Sequence, residues 1–183
     1  MQNIQTLDNL DILFADFIQT TLNLEASQVR IAYAEVGQIA PKMGETVIYL
    51  HTEQQQDDVQ MYKNRETAQE VSGRFTTSQS SMRRLSLLCS IYGSTCDTLA
   101  TQLKERMYFE NSRMFFENNN LALLSERITI SNKIHELINE RWWERVDVEL
   151  AFYNSVTVDE NVQPFEEVMV SISSEDIQTV IGG

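Results

Sequence analysis

The fold of this chain follows from a short stretch of sequence, LSLLCSIY at residues 85–92. Apolar residues occupy every second position, and a period of two is typical of a β-strand with one face turned to a core. Because that face is wholly apolar, we expect a central strand of a sheet. The face consists of Leu85, Leu87, Cys89 and Ile91.

A helix is predicted directly after this strand, since Gly93 ends the alternation and an amphipathic pattern follows. We expect Ser94 or Asp97 to open the helix, which then runs to about Phe109. It continues or re-forms through residues 113–116 before the asparagines at 118–120 end it. Its apolar face consists of Leu99, Ala100, Leu103 and Met107.

A second helix is predicted over residues 7–24, where apolar side chains recur at three- and four-residue spacing. Thr6 or Asp8 can cap its first turn, where exposed N–H groups need acceptors. The predicted apolar face contains Leu7, Leu10, Phe14, Phe17, Ile18 and Thr21.

Further strands are indicated on both sides of the central one. Residues 29–33 and 46–50 have strand character, with a turn between them at Pro41 and Gly44. Alternation over residues 145–153 predicts a long, half-exposed strand carrying Val146, Val148, Leu150 and Phe152 on its apolar face. The remaining assignments are strands at 121–130 and 168–173 and a C-terminal tail at 174–183. A short helical turn is also predicted at 131–140, from the spacing of Ile134, Leu137 and Ile138.

This order of helices and strands predicts one α+β domain over residues 1–173. We expect a mainly antiparallel sheet with the helices packed on one side. No run of about 18 apolar residues occurs, so a transmembrane helix is not expected. The segment Met1 to Leu10 carries acid and no base, which does not fit a signal peptide.

The stretch at residues 51–80 is rich in Gln, Asp, Glu, Ser and Thr and shows no clear periodicity. Two interpretations fit it: a mobile surface loop, or an extended arm or long hairpin that contact with a neighbour orders. The second requires apolar side chains for the arm to bury. Val59, Met61, Val71 and Phe75 are the candidates.

The chain is strongly acidic, with 27 acids against 14 bases and a formal net charge of −13. Such a chain repels nucleic-acid phosphates and anionic lipid overall. The charge provides solubility on the simplest interpretation. A second interpretation is charge complementarity between copies, or an acidic surface that must not adhere to DNA.

Enzymatic motifs are lacking. His51-Thr52-Glu53 has the HxE spacing of zinc deaminases, but no Pro-Cys-x-x-Cys follows. Cys89 lies on the apolar strand face, and Cys96 falls in the first turn of a helix, without a histidine near either in sequence. We therefore predict no enzyme and no cofactor. The alternative is a metal-dependent enzyme near His51, with oxygen ligands from Glu53, Asp57 and Asp58.

Three segments in order resemble a known family. The first is Ser90-Ile91-Tyr92-Gly93 with the helix that follows. The second runs from Arg113 through the asparagine-rich turn to Leu121, and the third is ERWWERVDV at residues 140–148. Together, over about residues 29–173, they resemble phage neck terminator proteins, also called tail terminator or tail-completion proteins.

The resemblance implies a small α+β subunit that assembles into a ring, commonly a hexamer. Such a ring terminates the tail tube and joins it to the connector below the portal, and DNA passes through its lumen without specific binding. The expected partners are other copies, the connector or head-completion protein and the tail tube protein, with no membrane. The expected location is the tail or neck of the virion, after assembly in the host cytoplasm. A head-completion connector or a tail tube subunit is the alternative.

The tryptophan pair in the third segment can be assigned to faces by strand parity. Trp142 shares a face with Val146 and Val148, so we expect it in the core. Trp143 falls on the opposite face with Arg141 and Arg145, where it suits a subunit contact, since Trp and Arg are enriched in binding hot spots. Alternatively, a helix covers Trp143, and the two arginines pair with Glu140, Glu144 or Glu149.

Overall fold

The computed structural model describes residues 6–33, 42, 44–55, 64–71 and 74–162, with the backbone alone at 64–71, 74–80 and 157–162. Three α-helices and eight β-strands lie within these ranges. Their order is α1 Leu7–Leu22, β1 Val29–Ile31, β2 Val47–Gln55, β3 Asn64–Val71, β4 Arg74–Tyr92, α2 Cys96–Met107, α3 Glu110–Asn118, β5 Leu121–Leu123, β6 Thr129–Ile130, β7 Ile134–Ile138 and β8 Arg141–Val162. None of these helices is long and apolar enough to cross a membrane.

The strands form one sheet around two long central strands. β4 and β8 pair antiparallel without a break, from Phe75 opposite Val162 to Tyr92 opposite Arg145. β2 and β3 line the free edge of β4, and β7, β6 and β5 follow one another along the free edge of β8. Every pairing is antiparallel except the one between β1 and β2. The α+β prediction with a mainly antiparallel sheet and a central strand at residues 85–92 is therefore confirmed.

The core lies between the sheet and the three helices, all on one side of it. The predicted apolar face of β4 is buried against α1 and α2, together with the even-numbered apolar residues of β8. At its centre, the Phe116 ring from α3 lies 4.6 Å from the Phe17 ring and 4.9 Å from the Phe152 ring. The Phe14 ring lies 5.0 Å from the Phe152 ring at a tilt of 37°, so aromatic contacts join α1, α3 and β8.

The helix ends agree with the predicted turn chemistry. The Thr6 hydroxyl accepts a hydrogen bond from the Asn9 amide, as predicted for a cap of α1, and Asn23 ends this helix with a left-handed φ of 53°. Between β4 and α2, Gly93 has a φ of 117°, and its amide donates to the Glu144 carbonyl. The helix begins at Cys96, between the two predicted opening residues, and the chain re-forms a helix as α3.

The helical turn predicted at residues 131–140 is wrong, because this segment contains β7. The spacing of Ile134, Leu137 and Ile138 fits a helix, but β7 pairs with β8 in a tight hairpin. Its two turn residues, Asn139 and Glu140, both have positive φ, 50° and 62°, the conformation that suits a two-residue hairpin turn. The strand predicted at 121–130 is confirmed at its two ends, with a 3-10 turn at Ser125–Arg127 between β5 and β6.

In the polar stretch, the loop interpretation is wrong where the backbone is described. β2 continues to Gln55, and β3 forms a hairpin with the first part of β4. Val71 and Phe75 lie on these strands, whereas Val59 and Met61 fall outside the described residues. The strand predicted at 168–173 and the tail at 174–183 also fall outside them.

Candidate subunit interface

The β7–β8 hairpin carries the tryptophan pair at the end of the sheet. The Trp142 side chain is 71% exposed, so its predicted place in the core is wrong. The parity argument is correct, but β4 pairs with β8 only as far as Arg145, and the core residues of β8 begin at Val146. Trp142 therefore lies past the end of the core, where its cross-strand neighbour is Leu137, itself 56% exposed.

Trp143 is half-buried on the opposite face of the sheet, which no helix of the described ranges covers and which we call the helix-free face. It packs against a small cluster formed by Val47, Tyr49 and Tyr92, in which the two tyrosine rings meet edge to face at 5.7 Å. No helix among the described residues belongs to this cluster. Part of the Trp143 ring therefore stays accessible to solvent. The ring packs on the contacting pair Tyr49 and Tyr92, which we call the tyrosine floor.

Arg145, on the same face, holds a network of polar side chains. Its Nη1 atom lies 2.6 Å from Glu136 Oε2, and its Nη2 atom lies 3.1 Å from Asp147 Oδ2. Tyr92 donates its phenolic hydrogen to Glu136, and burial raises the pKa of Tyr92. The pairing of Arg145 with Glu140, Glu144 or Glu149 is therefore wrong. The arginine instead fixes β7 to β8 and to the tyrosine floor.

The network continues along the helix-free face through serine–carboxylate pairs. The Ser90 hydroxyl donates to Asp147, and the Ser86 hydroxyl donates to Glu149, both at 2.7 Å. Leu88 lies between these pairs and is 42% exposed. This face is polar, preorganised by internal bonds, and accessible in the described part of the chain.

A cleft of about 540 Å³ opens at the hairpin end. Arg141, which is exposed, lines it with both tryptophans and Glu144, opposite Gly44, Glu45, Gly93 and Ser94. Two of the interface candidates, Arg141 and Trp143, thus share one cavity, and Arg145 stands beside it on the same strand. The other candidates, Val71 and Phe75, lie far along the sheet on β3 and β4.

The metal site considered near His51 does not form within the described residues. His51 Nε2 lies 3.5 Å from Glu53 Oε1, and no group of three potential metal-ligating side chains forms in the described ranges. Asp57 and Asp58 fall outside those ranges. Cys89 and Cys96 are buried, and burial raises the pKa of both thiols, to about 12 for Cys89. Because the thiolate is the reactive form of cysteine, buried thiols with raised pKa values fit a packing role in the core better than a nucleophilic one.

Comparison with known families decides the class of the protein. The sequence model of the phage neck terminator protein family matches residues 8–180. The chain belongs to the phage neck terminator family. A comparison with curated proteins gave no match. Neck terminators are structural proteins of the phage particle, so this chain has a structural role in the neck or tail of a virion and interacts with other phage proteins there.

Sequence reasoning missed two features of this neck terminator. One is the exposed pair formed by Trp142 and Leu137, which was missed because strand parity predicted Trp142 to lie in the core. The other is a second cleft, of about 470 Å³, between the ends of α2 and α3 and strand β5. Neither has a sequence signal of its own, because each depends on where the helix layer ends.

Proposed function

We propose that this chain forms a ring in the phage neck, commonly hexameric in proteins of this kind. The ring terminates the tail tube, joins it to the connector below the portal, and leaves a lumen through which DNA passes. The observation that carries the proposal is the family match over residues 8–180. Assembly in the host cytoplasm belongs to the same proposal.

The charge of the chain supports a role as a conduit. A formal charge of −13 disfavours adhesion of the DNA backbone to the protein, because like charges repel at short range. A duplex that must pass through a ring benefits from such a surface. The proposal therefore requires no specific DNA-binding residue.

The length of the two central strands supports an assembly role for the arm. The core residues of β4 begin at Leu85, and those of β8 end at Phe152, yet the pairing continues to Phe75 and Val162. β3 adds a third strand to this polar extension. We propose that the arm, defined as β3 with residues 74–84 and 153–162, contacts a neighbour in the particle. Val71 and Phe75 lie on it, and Val59 and Met61 belong to the same proposed contact.

The opposite end of the sheet is the second proposed contact. Arg141 and Trp143 line the cleft beside the hairpin, Arg145 follows on the same strand, and Trp143 rests on the tyrosine floor. A rigid aromatic side chain beside arginines is typical of interface hot spots, because little side-chain entropy is lost on binding.

Copy number per virion is the measurement that tests this function. Electron microscopy of the particle should locate the chain in a single ring between the tail tube and the connector. Native mass spectrometry of the purified chain should give a closed oligomer of the same stoichiometry. Many stacked copies along the tail would identify a tube subunit, and particles without the chain would refute a virion role.

A further inference from the structure

The exposed pair on the β7–β8 hairpin has the anatomy of a protruding contact. Trp142 and Leu137 are cross-strand neighbours, so their side chains stand together on one face of the hairpin tip. Both are more than half exposed although they are large and apolar. The tight Asn139–Glu140 turn and the Arg145 network hold this tip in place. An exposed, rigid apolar pair of this kind marks an interaction site.

The second cleft has the anatomy of a receiving site. The side chains of Met107, Phe116 and Leu121 are buried in its lining, and Tyr108, Arg113 and Glu117 are exposed at its rim. An apolar floor within a polar rim resembles the core and rim of a protein interface. Its volume of about 470 Å³ is sufficient for large side chains.

The two features lie far apart on the same molecule. The hairpin pair stands at Trp142, whereas β5 borders the cleft opposite Phe152. Ten residues of β-strand separate these positions, roughly 33 Å at about 3.3 Å per residue. One copy therefore cannot place its own Trp142 in its own cleft.

Opposite charges can meet between the two places, because each carries both signs. Glu140 and Arg141 are exposed on the hairpin, and Arg113 and Glu117 are exposed at the cleft rim. Glu140 is exposed in the hairpin turn, two residues before Trp142. Arg113 is 60% exposed at the cleft rim, and its ion pairs within the described part of the chain are long, 3.9 Å to Glu110 and 3.7 Å to Glu117. A hairpin inserted into the cleft can bring the Glu140 carboxylate to the Arg113 guanidinium, which fixes the direction of insertion.

We propose that Trp142 and Leu137 of one copy insert into the cleft between α2, α3 and β5 of the next copy. The inference rests on the proposed ring and names its contact. It joins two different surfaces, and such a head-to-tail contact generates a ring when its rotation closes. A contact between two identical surfaces would give a dimer.

Disulfide trapping between copies tests the contact. Ser125 is exposed in the cleft lining, and His135 is exposed on β7, two residues before Leu137 on the same strand face. Two single variants of the full chain that keep both Trp142 and Leu137 are therefore prepared, His135→Cys and Ser125→Cys. The native cysteines are buried and do not compete. Under mild oxidation, the mixture should give a disulfide-linked dimer that contains one chain of each variant. Each variant alone should give none.

A matched control uses Tyr33→Cys, since Tyr33 is an 80% exposed aromatic residue at the other edge of the sheet. Its mixture with Ser125→Cys should not cross-link. The inference is overturned if the His135→Cys and Ser125→Cys mixture gives no mixed dimer. It is equally overturned if His135→Cys alone cross-links as well as the mixture does, because that outcome means tip-to-tip contact.

The loss of assembly provides a second readout. Trp142→Ala should reduce the fraction of ring in native mass spectrometry at least tenfold, whereas Tyr33→Ala should leave it unchanged. An unchanged oligomer in Trp142→Ala contradicts the contact. Failure of the ring itself is a separate result, since the copy number of the unaltered chain per virion measures it without any variant.

Discussion

The Asn154 side-chain amide donates a hydrogen bond to the backbone carbonyl of Asn120, with 3.0 Å between the two heavy atoms. Asn154 is 1% exposed, and its Oδ1 atom accepts from Arg83 Nε at 2.8 Å. Asn120 has a left-handed φ of 56° in the turn that leads from α3 to β5. One buried side chain thus joins this turn to β8 and to β4.

Replacement of Asn154 should therefore destabilise the protein. Asn154→Ala removes the donor to the Asn120 carbonyl and the acceptor from Arg83, and we expect a loss of about 1–3 kcal/mol in the free energy of unfolding. Urea denaturation followed by circular dichroism measures it. Asn118→Ala, at an exposed position near the same turn, should stay within about 0.5 kcal/mol of the native chain. Equal losses in the two variants would contradict the role of the buried amide.

The turn at Gly93 gives a prediction with an internal control. A Cβ atom added there would lie 3.0 Å from the Glu45 carbonyl oxygen, and φ is 117°. Gly44 also has a positive φ, 78°, but a Cβ atom there meets nothing within 4 Å among the described residues. Gly93→Ala should therefore lower the melting temperature more than Gly44→Ala does, since it adds close backbone contact to a strain of about 1–3 kcal/mol. A larger effect at Gly44 would refute the close-approach argument.

Phe116 is the centre of the aromatic core, in contact with rings from α1 and β8. We expect Phe116→Ala to cost about 3–5 kcal/mol in stability, because it removes buried area and leaves a cavity. Chemical denaturation gives this value. On the same helix, Met114 is 51% exposed, so Met114→Ala should change stability by no more than about 0.5 kcal/mol. A small effect at Phe116 would mean that the helix layer is not packed as described.

Asp11 gives a prediction about pH. This residue of α1 is buried, its Oδ1 atom has no hydrogen-bond partner among the described residues, and burial raises the pKa of its carboxyl above the ordinary value of 3.8. The folded chain thus holds the proton more tightly than the unfolded chain does. This contribution to stability is complete below the unfolded pKa and is lost as pH rises through the folded pKa.

Asp11→Asn should accordingly raise the melting temperature at pH 7, and the gain over the native chain should disappear at acidic pH. Thermal melts of both proteins from pH 3 to pH 8 measure the difference. Asp16→Asn, at an exposed position on the same helix, serves as the control. A gain that is constant with pH would show that ionisation of Asp11 is not its source.

The sequence was sufficient for the elements whose apolar period is long. The alternation at residues 85–92 and at 145–153 identified the two central strands, and the helix at α1 followed from its spacing and cap. In each case several apolar residues agree on one period, so the local pattern and the final packing coincide. The ordered segments around Tyr92, Asn118 and Trp142 also led to the correct family.

The failures share a physical cause, since each depends on where distant parts of the chain meet. The segment Ile134–Ile138 is too short to fix its own period, and only pairing with β8 makes it a strand. Trp142 has the parity of a core residue, but the core ends before it. Arg145 forms its ion pair with Glu136 on the neighbouring strand β7. This partner depends on the register between β7 and β8, which the spacing of charges along the sequence does not give.

The uninterrupted pairing of β4 with β8 also governs how the chain folds. Each of its cross-strand pairs joins residues more than fifty positions apart, and both helices of the α2–α3 region lie in the connecting loop. Closure of so long a loop costs chain entropy before the ladder provides any compensating contact. Topologies rich in such distant pairings fold slowly, in milliseconds to seconds. The central ladder therefore makes refolding kinetics, and with them the supply of assembly-ready chains, sensitive to substitutions in either long strand.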